Sequence, residues 1–508
     1  MLNESETTTI LLILLVAVGI MIWGFNRAKS YGKLGILAWL QSVILMAPWL
    51  LLFGLFAVGI YLNFVGIIFL IVASAGTYIW LGRRLRAEGQ DSIFRERASE
   101  RIKAEEEAKA KFKKEESSTA TEKAGNKDNS ISGEMIPIPL EDLKIIKGIF
   151  GIDTFFAIDT IAYEEGAIFK GNLRGEAELV HARLSSKLKE CLGEKYRLFL
   201  VEDQEEKPVV IVIPSSNDPQ PATLAQKNLA LVLLVATIVT TLESGGLLLG
   251  FDLFSAWGRY AEAIPICLGI WTVLISHEFG HYFLAKSHDV RLGLPFFIPT
   301  WQIGSFGAIT RFESLLPNRT ALFDIALAGP ALGGILSLLM LCSGLLLSHS
   351  GSQFQIPSQF FQGSILVGTL ARIFLGSELH SAIVDVHPLT VIGWLGLVIT
   401  ALNLLPAGQL DGGRIVQAIY GRKIARRTTI ATLIILGIIA LVNPANPIPL
   451  YWAFVILFLQ RSLERPSLNE LTEPDDARAA FALLALFLMM ATLIPLSPSL
   501  AGQLGIGS

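Results

Sequence analysis

Apolar runs long enough to cross a bilayer recur along this chain, and charged runs separate them into two groups. Three open the sequence, at about 9–25, 36–58 and 61–82. A second set lies at about 228–248, 262–285, 321–347, 388–406, 428–443, 448–460 and 478–496. A spanning helix needs roughly 20 apolar residues, so the pattern predicts a polytopic α-helical membrane protein. FFQGSILVGTLARIFLG, at 360–376, is shorter and contains Arg372. It is expected to lie in the interface or to re-enter. LGLPFFIPTWQIGSFGAITRF, at 292–312, is apolar but rich in Pro and Gly. Its alternation around a Gly turn predicts a re-entrant β-hairpin, which membrane depth tolerates only where protein or water covers the backbone.

The polar stretches divide the rest. RRLRAEGQDSIFRERASERIKAEEEAKAKFKKEES has good helix formers and almost no apolar face, so it reads as a solvated stalk. SSTATEKAGNKDNSISGE after it reads as a flexible linker. A small α+β aqueous domain follows. PLEDLKIIKGIF and EAELVHARLSSKLKECLG have helical spacing, whereas YRLFLVED and PVVIVIPS read as strands. The expected division is 1–82 for N-terminal spans, 83–135 for stalk and linker, 136–218 for the aqueous domain and 225–500 for a membrane core.

Composition supports this picture. Of 508 residues, 52% are hydrophobic and only 17% charged, which excludes an ordinary soluble protein. The net charge of −3 gives no reason to expect nucleic acid. Three cysteines, Cys191, Cys267 and Cys342, are too scattered for a disulfide framework or a metal knuckle. The N-terminus MLNESETTTI lacks a basic signal region and transit-peptide character. The first run is therefore expected to be a retained anchor in a bacterial protein.

Positive residues orient the spans. Arg27, Lys29 and Lys33 place the first loop in the cytoplasm, and Arg83, Arg84 and Arg86 place the end of the third span there. The aqueous domain is then cytoplasmic, or stromal in a plastid. Continued alternation runs the 262–285 helix from outside to inside. The 388–406 run also ends inside, ahead of Arg414, Arg422, Lys423, Arg426 and Arg427.

The 262–285 run contains Ser276-His277-Glu278-Phe279-Gly280-His281. Ionisable groups at mid-membrane cost about 2.5–3.5 kcal/mol each and mark function by default. His277 and His281, at i and i+4, share a helix face and can grip one ion, and Glu278 can reach a water on it. A catalytic zinc takes three protein ligands and leaves one position open. Asp411 is the candidate third ligand. It lies in Asn403-Leu404-Leu405-Pro406-Ala407-Gly408-Gln409-Leu410-Asp411-Gly412-Gly413, at the depth the topology gives the motif. Asp411 could instead be a helix cap before a short helix, GRIVQAIYG. Glu278 could support a ligand rather than act on water. Asn403 either orients substrate or the Asp loop, or caps a helix end. His288 reads as an interfacial residue rather than a fourth ligand. Gly304 and Gly307, with Asn403, are candidate substrate-contacting or supporting residues.

HEFGH together with NLLPAGQLDGG, within apolar spans, resembles the site-2 protease family of intramembrane zinc metallopeptidases. The resemblance implies His277, His281 and Asp411 as zinc ligands and Glu278 as the catalytic acid/base. Ala328-Gly329-Pro330 and the Gly-rich hairpin also resemble that family's core. Its frequent Asn after the Gly-Pro is absent here, where the chain reads ALGG. Gly171-Asn172-Leu173-Arg174 looks like the GNLR motif of the EGY branch, found in plastids and cyanobacteria, although it could be an ordinary turn. The resemblance implies one Zn2+ per chain and a cyanobacterial plasma or thylakoid membrane. It implies membrane-protein substrates such as anti-sigma-like single-span proteins, cut within or near their spans. A metal transporter would need polar groups along several spans, and a non-proteolytic scaffold would not need both motifs intact. The membrane zinc enzymes of the CaaX type take a downstream Glu in a helical ExxxD-like setting, and no convincing counterpart stands in the later spans.

Overall fold

The computed structural model describes residues 138–506 apart from 164, 204, 301, 302, 445, 460 and 461, together with scattered helical positions between 19 and 84. The stalk and the linker expected from the sequence therefore lie almost wholly outside the described residues, as does most of each of the three N-terminal runs. The chain divides into two units, 1–130 and 131–508. The second carries everything that follows.

Its aqueous part begins with helix α1 (Leu140–Ile149), whose Leu143, Ile146 and Ile149 recur on one face and are buried. Strands β1 (Phe155–Tyr163) and β2 (Gly166–Leu173) come next. They were not visible in the sequence pattern. The pairing slips between Ala157 and Asp159, and Phe156 and Ile158 are apolar yet exposed, so alternation is blurred. Helix α2 (Ala177–Leu192) buries Val180, Leu184 and Leu188 at i, i+4 and i+8. Strands β3 (Tyr196–Glu202) and β4 (Pro208–Pro214) complete an antiparallel sheet of order β1-β2-β4-β3. The two helices cover one face of it. GNLR is not a turn, because Gly171, Asn172 and Leu173 lie in β2. Gly171 is required by close approach: a side chain there would strike the Phe156 carbonyl.

The membrane part contains α3 (Leu224–Leu248), α4 (Tyr260–Ser287), a hairpin of β5 (Phe296–Thr300) and β6 (Gly304–Ile309), and α5 (Arg319–Leu347). A small apical segment follows, with β7 (Phe354–Pro357), α6 (Ile365–Leu375) and β8 (Ile383–Val386). Then come α7 (Pro388–Asn403), α8 (Asp411–Val442), α9 (Ile448–Leu459), α10 (Asp476–Leu493) and α11 (Pro498–Gln503). Among the described residues, five helices are long and apolar enough to cross a membrane: those at 226–248, 257–287, 319–347, 411–442 and 476–493. The helices of α7 and α9 are apolar but shorter. This is a polytopic helical membrane protein with a re-entrant β-hairpin and a small α+β domain.

Three local features add to the sequence pattern. The 360–376 run is not one helix: a 3-10 turn at Ser358–Gly363 precedes the 11 residues of α6. Arg372 there gives its Nη1 hydrogen to the Gly376 carbonyl, 2.8 Å away, at the helix end. The short helix expected after Asp411 and the span expected at 428–443 are both present, as two helical stretches of α8 that meet at Gly421, whose backbone is not helical (φ 79°, ψ 172°). The junction needs a positive φ, which glycine takes without strain. Finally, α3 holds a buried acid, Glu243, whose Oε2 accepts the Leu253 N–H at 3.1 Å. The loop after α3 is thus fastened from within the bundle.

The aqueous sheet is joined to the membrane part by backbone. The Leu200 N–H donates to the Leu468 carbonyl (2.8 Å), and the Glu470 N–H to the Leu200 carbonyl (2.9 Å). Leu468 and Asn469 also donate to Leu316 and Pro317, just ahead of α5. Segment 468–470 therefore closes the β3 edge, which would otherwise be left unpaired. Phe199, Val201 and Val209, on the sheet face away from α1 and α2, pack against Leu315 and Leu468. Leu468→Asp places a charge against this apolar seam and is expected to cost about 1–3 kcal/mol. Limited proteolysis should then cut within 218–223 far faster than in the parent protein, with zinc content unchanged. An unchanged cutting rate would show that the seam does not hold the domain.

Candidate metal centre

The apolar helix α4 places His277 and His281 one turn apart, and both are buried. They face Asp411, at the N-terminus of α8. Its Oδ2 lies 3.1 Å from the His277 Nε2 and 3.4 Å from the His281 Nε2. The His281 Nδ1 is 2.7 Å from the Ile325 carbonyl, which can only accept, so Nδ1 carries the proton. With Nδ1 so engaged, Nε2 is the nitrogen turned toward the carboxylate oxygen. A proton or a metal ion between the two keeps them from repelling, and a metal would use the Nε2 lone pair. Donors of a tetrahedral zinc, about 2.0–2.2 Å from the ion, stand roughly 3.3 Å apart. The two observed separations, and the two-nitrogen, one-oxygen donor set, fit zinc.

Glu278 sits beside this group. The donor atoms of His277, Glu278 and His281 all lie within 4.8 Å of one another. The Thr310 hydroxyl, just past β6, donates to the Glu278 Oε2 at 2.6 Å. One oxygen of Glu278 is thereby held, while the other is available to a water.

The neighbouring backbone is shaped to let these rings in. A side chain at Gly329, in the Ala328-Gly329-Pro330 turn of α5, would run into the His281 ring. One at Gly333 would stand 3.1 Å from the His277 Cβ. After α7 the chain folds back tightly before Asp411. A side chain at Gly412 would overlap the Leu404 carbonyl, and one at Gly413 the Gly408 carbonyl. That is the physical reason for glycine twice after Asp411.

Charge behind Asp411 is balanced by a residue the sequence had marked only for topology. Arg414 Nη1 is 3.9 Å from the Asp411 Oδ1. Its Nε and Nη2 donate to the Glu464 Oε2 at 3.1 and 3.0 Å, and Nη2 also donates to the Thr310 carbonyl at 2.8 Å. The guanidinium lies 4.7 Å from the Phe312 ring centre. Arg414 is i+3 from Asp411, a spacing that could have suggested it. Thr310 and Glu464 carried no comparable signal.

The other candidates take different places. Asn403 lines the metal pocket, and its Nδ2 donates to the Ile399 carbonyl (2.9 Å) and to the Phe306 carbonyl in β6 (3.1 Å). It therefore both ends a helix and holds the hairpin. Gly307 (φ 100°) backs onto it, where a side chain would sit 2.6 Å from the Asn403 Nδ2. Gly304 (φ 84°) is at the hairpin turn, away from the metal pocket, and its carbonyl accepts from the Thr240 hydroxyl of α3 at 2.6 Å. His288 is not part of the group: its Nε2 lies 3.0 Å from the Asp324 Oδ2, which also pairs with Arg478.

Thr310→Val keeps the shape but frees Glu278. It should leave zinc content near normal and lower peptide-bond cleavage about 10–100-fold. Gly329→Val should act the other way, displacing His281 and lowering zinc content measured on the purified protein. Normal zinc in Gly329→Val would refute the fit of ring to turn.

Comparison with known proteins agrees with this geometry. The profile described as "Peptidase family M50" matches residues 265–443, and that described as "EGY3 middle domain" matches 144–221. The chain is 37% identical over 404 residues to "Probable zinc metalloprotease EGY1, chloroplastic" of Arabidopsis thaliana, covering 72% of this chain and 73% of that protein. It is 37% identical over 370 residues to the EGY2 protein of the same plant, covering 70% and 65%. The EGY3 protein, named a probable zinc metallopeptidase, is 33% identical over 376 residues, covering 70% and 65%. No solved structure matches. The buried His-Glu-His face, the LDGG turn and this breadth of identity together place the chain in peptidase family M50, in its EGY branch.

Proposed function

We propose that this protein is an intramembrane zinc metalloprotease that cuts peptide bonds within or near the spans of other membrane proteins. The convergence of His277, His281 and Asp411 beside Glu278, inside a bundle of apolar helices, carries the reading. His277, His281 and Asp411 would hold the ion. Zinc supplies Lewis acidity, lowering the pKa of a water and polarising a carbonyl. Glu278 takes the proton of the attacking water and returns it to the leaving nitrogen. Thr310 fixes the orientation of that carboxylate. Arg414, shared with Glu464, keeps Asp411 ionised and aimed at the two histidines.

Substrate presentation follows from the hairpin. A peptide bond in a membrane helix is already hydrogen-bonded, so the span must unwind before attack. The β5–β6 ladder offers strand backbone beside the metal pocket, which is lined by Ala308, Ile309 and Thr310. An unwound substrate adds there as a strand. The Nδ2 of Asn403 serves the hairpin, which leaves its Oδ1 for a substrate N–H. Gly307 lets Asn403 approach, and Gly304 fixes the turn to α3.

The substrates are membrane proteins, and we infer single-span regulatory proteins of the anti-sigma kind. We keep the division into 1–82, 83–135, 136–218 and 225–500 and put the aqueous domain on the cytoplasmic or stromal side. Support for the side comes from charge alone, with Arg422, Lys423, Arg426 and Arg427 near the end of the bundle that meets the domain. The relatives' names give the chloroplast and lend no support to a bacterial source. A cyanobacterial plasma or thylakoid membrane stays our reading from the motifs.

Glu278→Gln should retain zinc and membrane insertion while cleavage of a single-span reporter falls about 10²–10⁴-fold. Asp411→Ala should lose most bound zinc. Cleavage surviving in Glu278→Gln would remove Glu278 from its role, and full zinc in Asp411→Ala would remove Asp411 from the ligand set. Proline at Ser305 should abolish cleavage of the membrane reporter if strand addition is required, and undiminished cleavage would count against it.

A further inference from the structure

A cavity of about 350 Å³ opens beside the metal pocket, at the end of the bundle that meets the aqueous domain. This is within the range of ligand sites, about 300–1,000 Å³. One wall is the linker 218–223, which leads from the sheet into α3. The opposite wall is the strand leaving the hairpin, 311–316, and the floor is Glu464, Arg465 and Pro466. Gln409, two residues before Asp411, lines both this cavity and the metal pocket. The Arg414–Glu464 pair stands between them.

The charges in the lining are unevenly spent. Asp218 accepts from the Arg197 Nε at 3.0 Å. Glu313 accepts the Ala222 N–H at 2.9 Å, a neutral partner, so it adds one unbalanced negative charge against the two positive ones of Arg465 and Arg311. Glu464 is taken by Arg414. Arg465 gives one hydrogen to the Asn217 carbonyl at 3.1 Å, which leaves its charge unbalanced. Arg311 is exposed, and its guanidinium has no partner among the described residues. It is also the residue next to Thr310, which holds Glu278. Since extended chain advances about 3.3 Å per residue, a strand leaving the metal pocket along the hairpin meets Arg311 within a residue or two.

Resting on the protease reading above, we propose that this cavity receives the flank of the substrate on the aqueous-domain side and selects an acidic one through Arg311. The carboxylates of that flank complete the pairing of Arg311, and Arg465 adds a second positive charge on the far side. The linker wall gives the aqueous domain its part in the reaction: it forms half of the site for the flank while the membrane core cuts the span.

The test uses the full-length Glu278→Gln protein, loaded with zinc and reconstituted in nanodiscs of zwitterionic lipid. The probe is a single-span leucine-rich peptide with a photoreactive side chain in a flank of glutamates or of lysines. The glutamate flank should crosslink to 311–316 or 464–466 about tenfold more than the lysine flank. Arg311→Glu should reverse that order, and Arg311→Gln, a milder change, should flatten it. Zinc content checks that each variant is folded. Equal crosslinking of both flanks, crosslinks elsewhere, or a preference unmoved by either Arg311 variant overturns the proposal. So does crosslinking that tracks added anionic lipid rather than the flank. Failure of the protease reading shows separately, as no Glu278-dependent cleavage of either peptide by the parent enzyme.

Discussion

The whole membrane core is arranged around one electrostatic problem: a carboxylate held between two imidazoles where water is scarce. An unpaired charge in such a place costs several kcal/mol. Asp411 is therefore approached from two sides. His277 and His281 converge on one oxygen, and Arg414 stands behind the other. Arg414 in turn needs an acid, and Glu464 supplies it from a segment some fifty residues downstream. Each charge brought in to balance another recruits a further element of the fold.

Close backbone approach is the second requirement, and it follows from the first. Imidazoles can reach the carboxylate only if α4 and α5 nearly touch. Gly280 faces the Ala328 carbonyl, while Gly329 and Gly333 make room for the two rings. Small residues at helix contacts are what membrane packing generally favours, since lipid offers helices no hydrophobic reason to associate. Here the same device serves the site. The hairpin is fixed in similar fashion, by Thr240 at its turn and Asn403 at Phe306, so that Thr310 arrives at Glu278.

The aqueous domain is bound into this arrangement by segment 464–470. One end of that segment neutralises Arg414, and the other completes the edge of β3 and the strand ahead of α5. Strand pairing is directional and rigid, so the domain cannot shift freely without disturbing the residues behind Asp411. Function in the membrane and folding outside it are thus tied through a stretch that is itself neither a span nor part of the sheet.

Much of this was legible in the sequence because hydrocarbon is so selective a solvent. It leaves apolar runs as spans, so a His-Glu-x-x-His within one, a second break at LDGG and a Pro-Gly hairpin stood out at once. Helix periodicity fixed His277 and His281 on one face, and the α1, α2, β3 and β4 patterns were plain. Other features depended on long-range contacts that no local pattern records. β1 and β2 were hidden by a bulge and exposed apolar side chains. The partners Thr310, Arg414 and Glu464 are ordinary residues until folding brings them within hydrogen-bonding distance. Sequence determined which groups must be buried together, because burial of charge is costly wherever it occurs. Tertiary structure alone decided which distant residues would satisfy them, because only packing sets those distances.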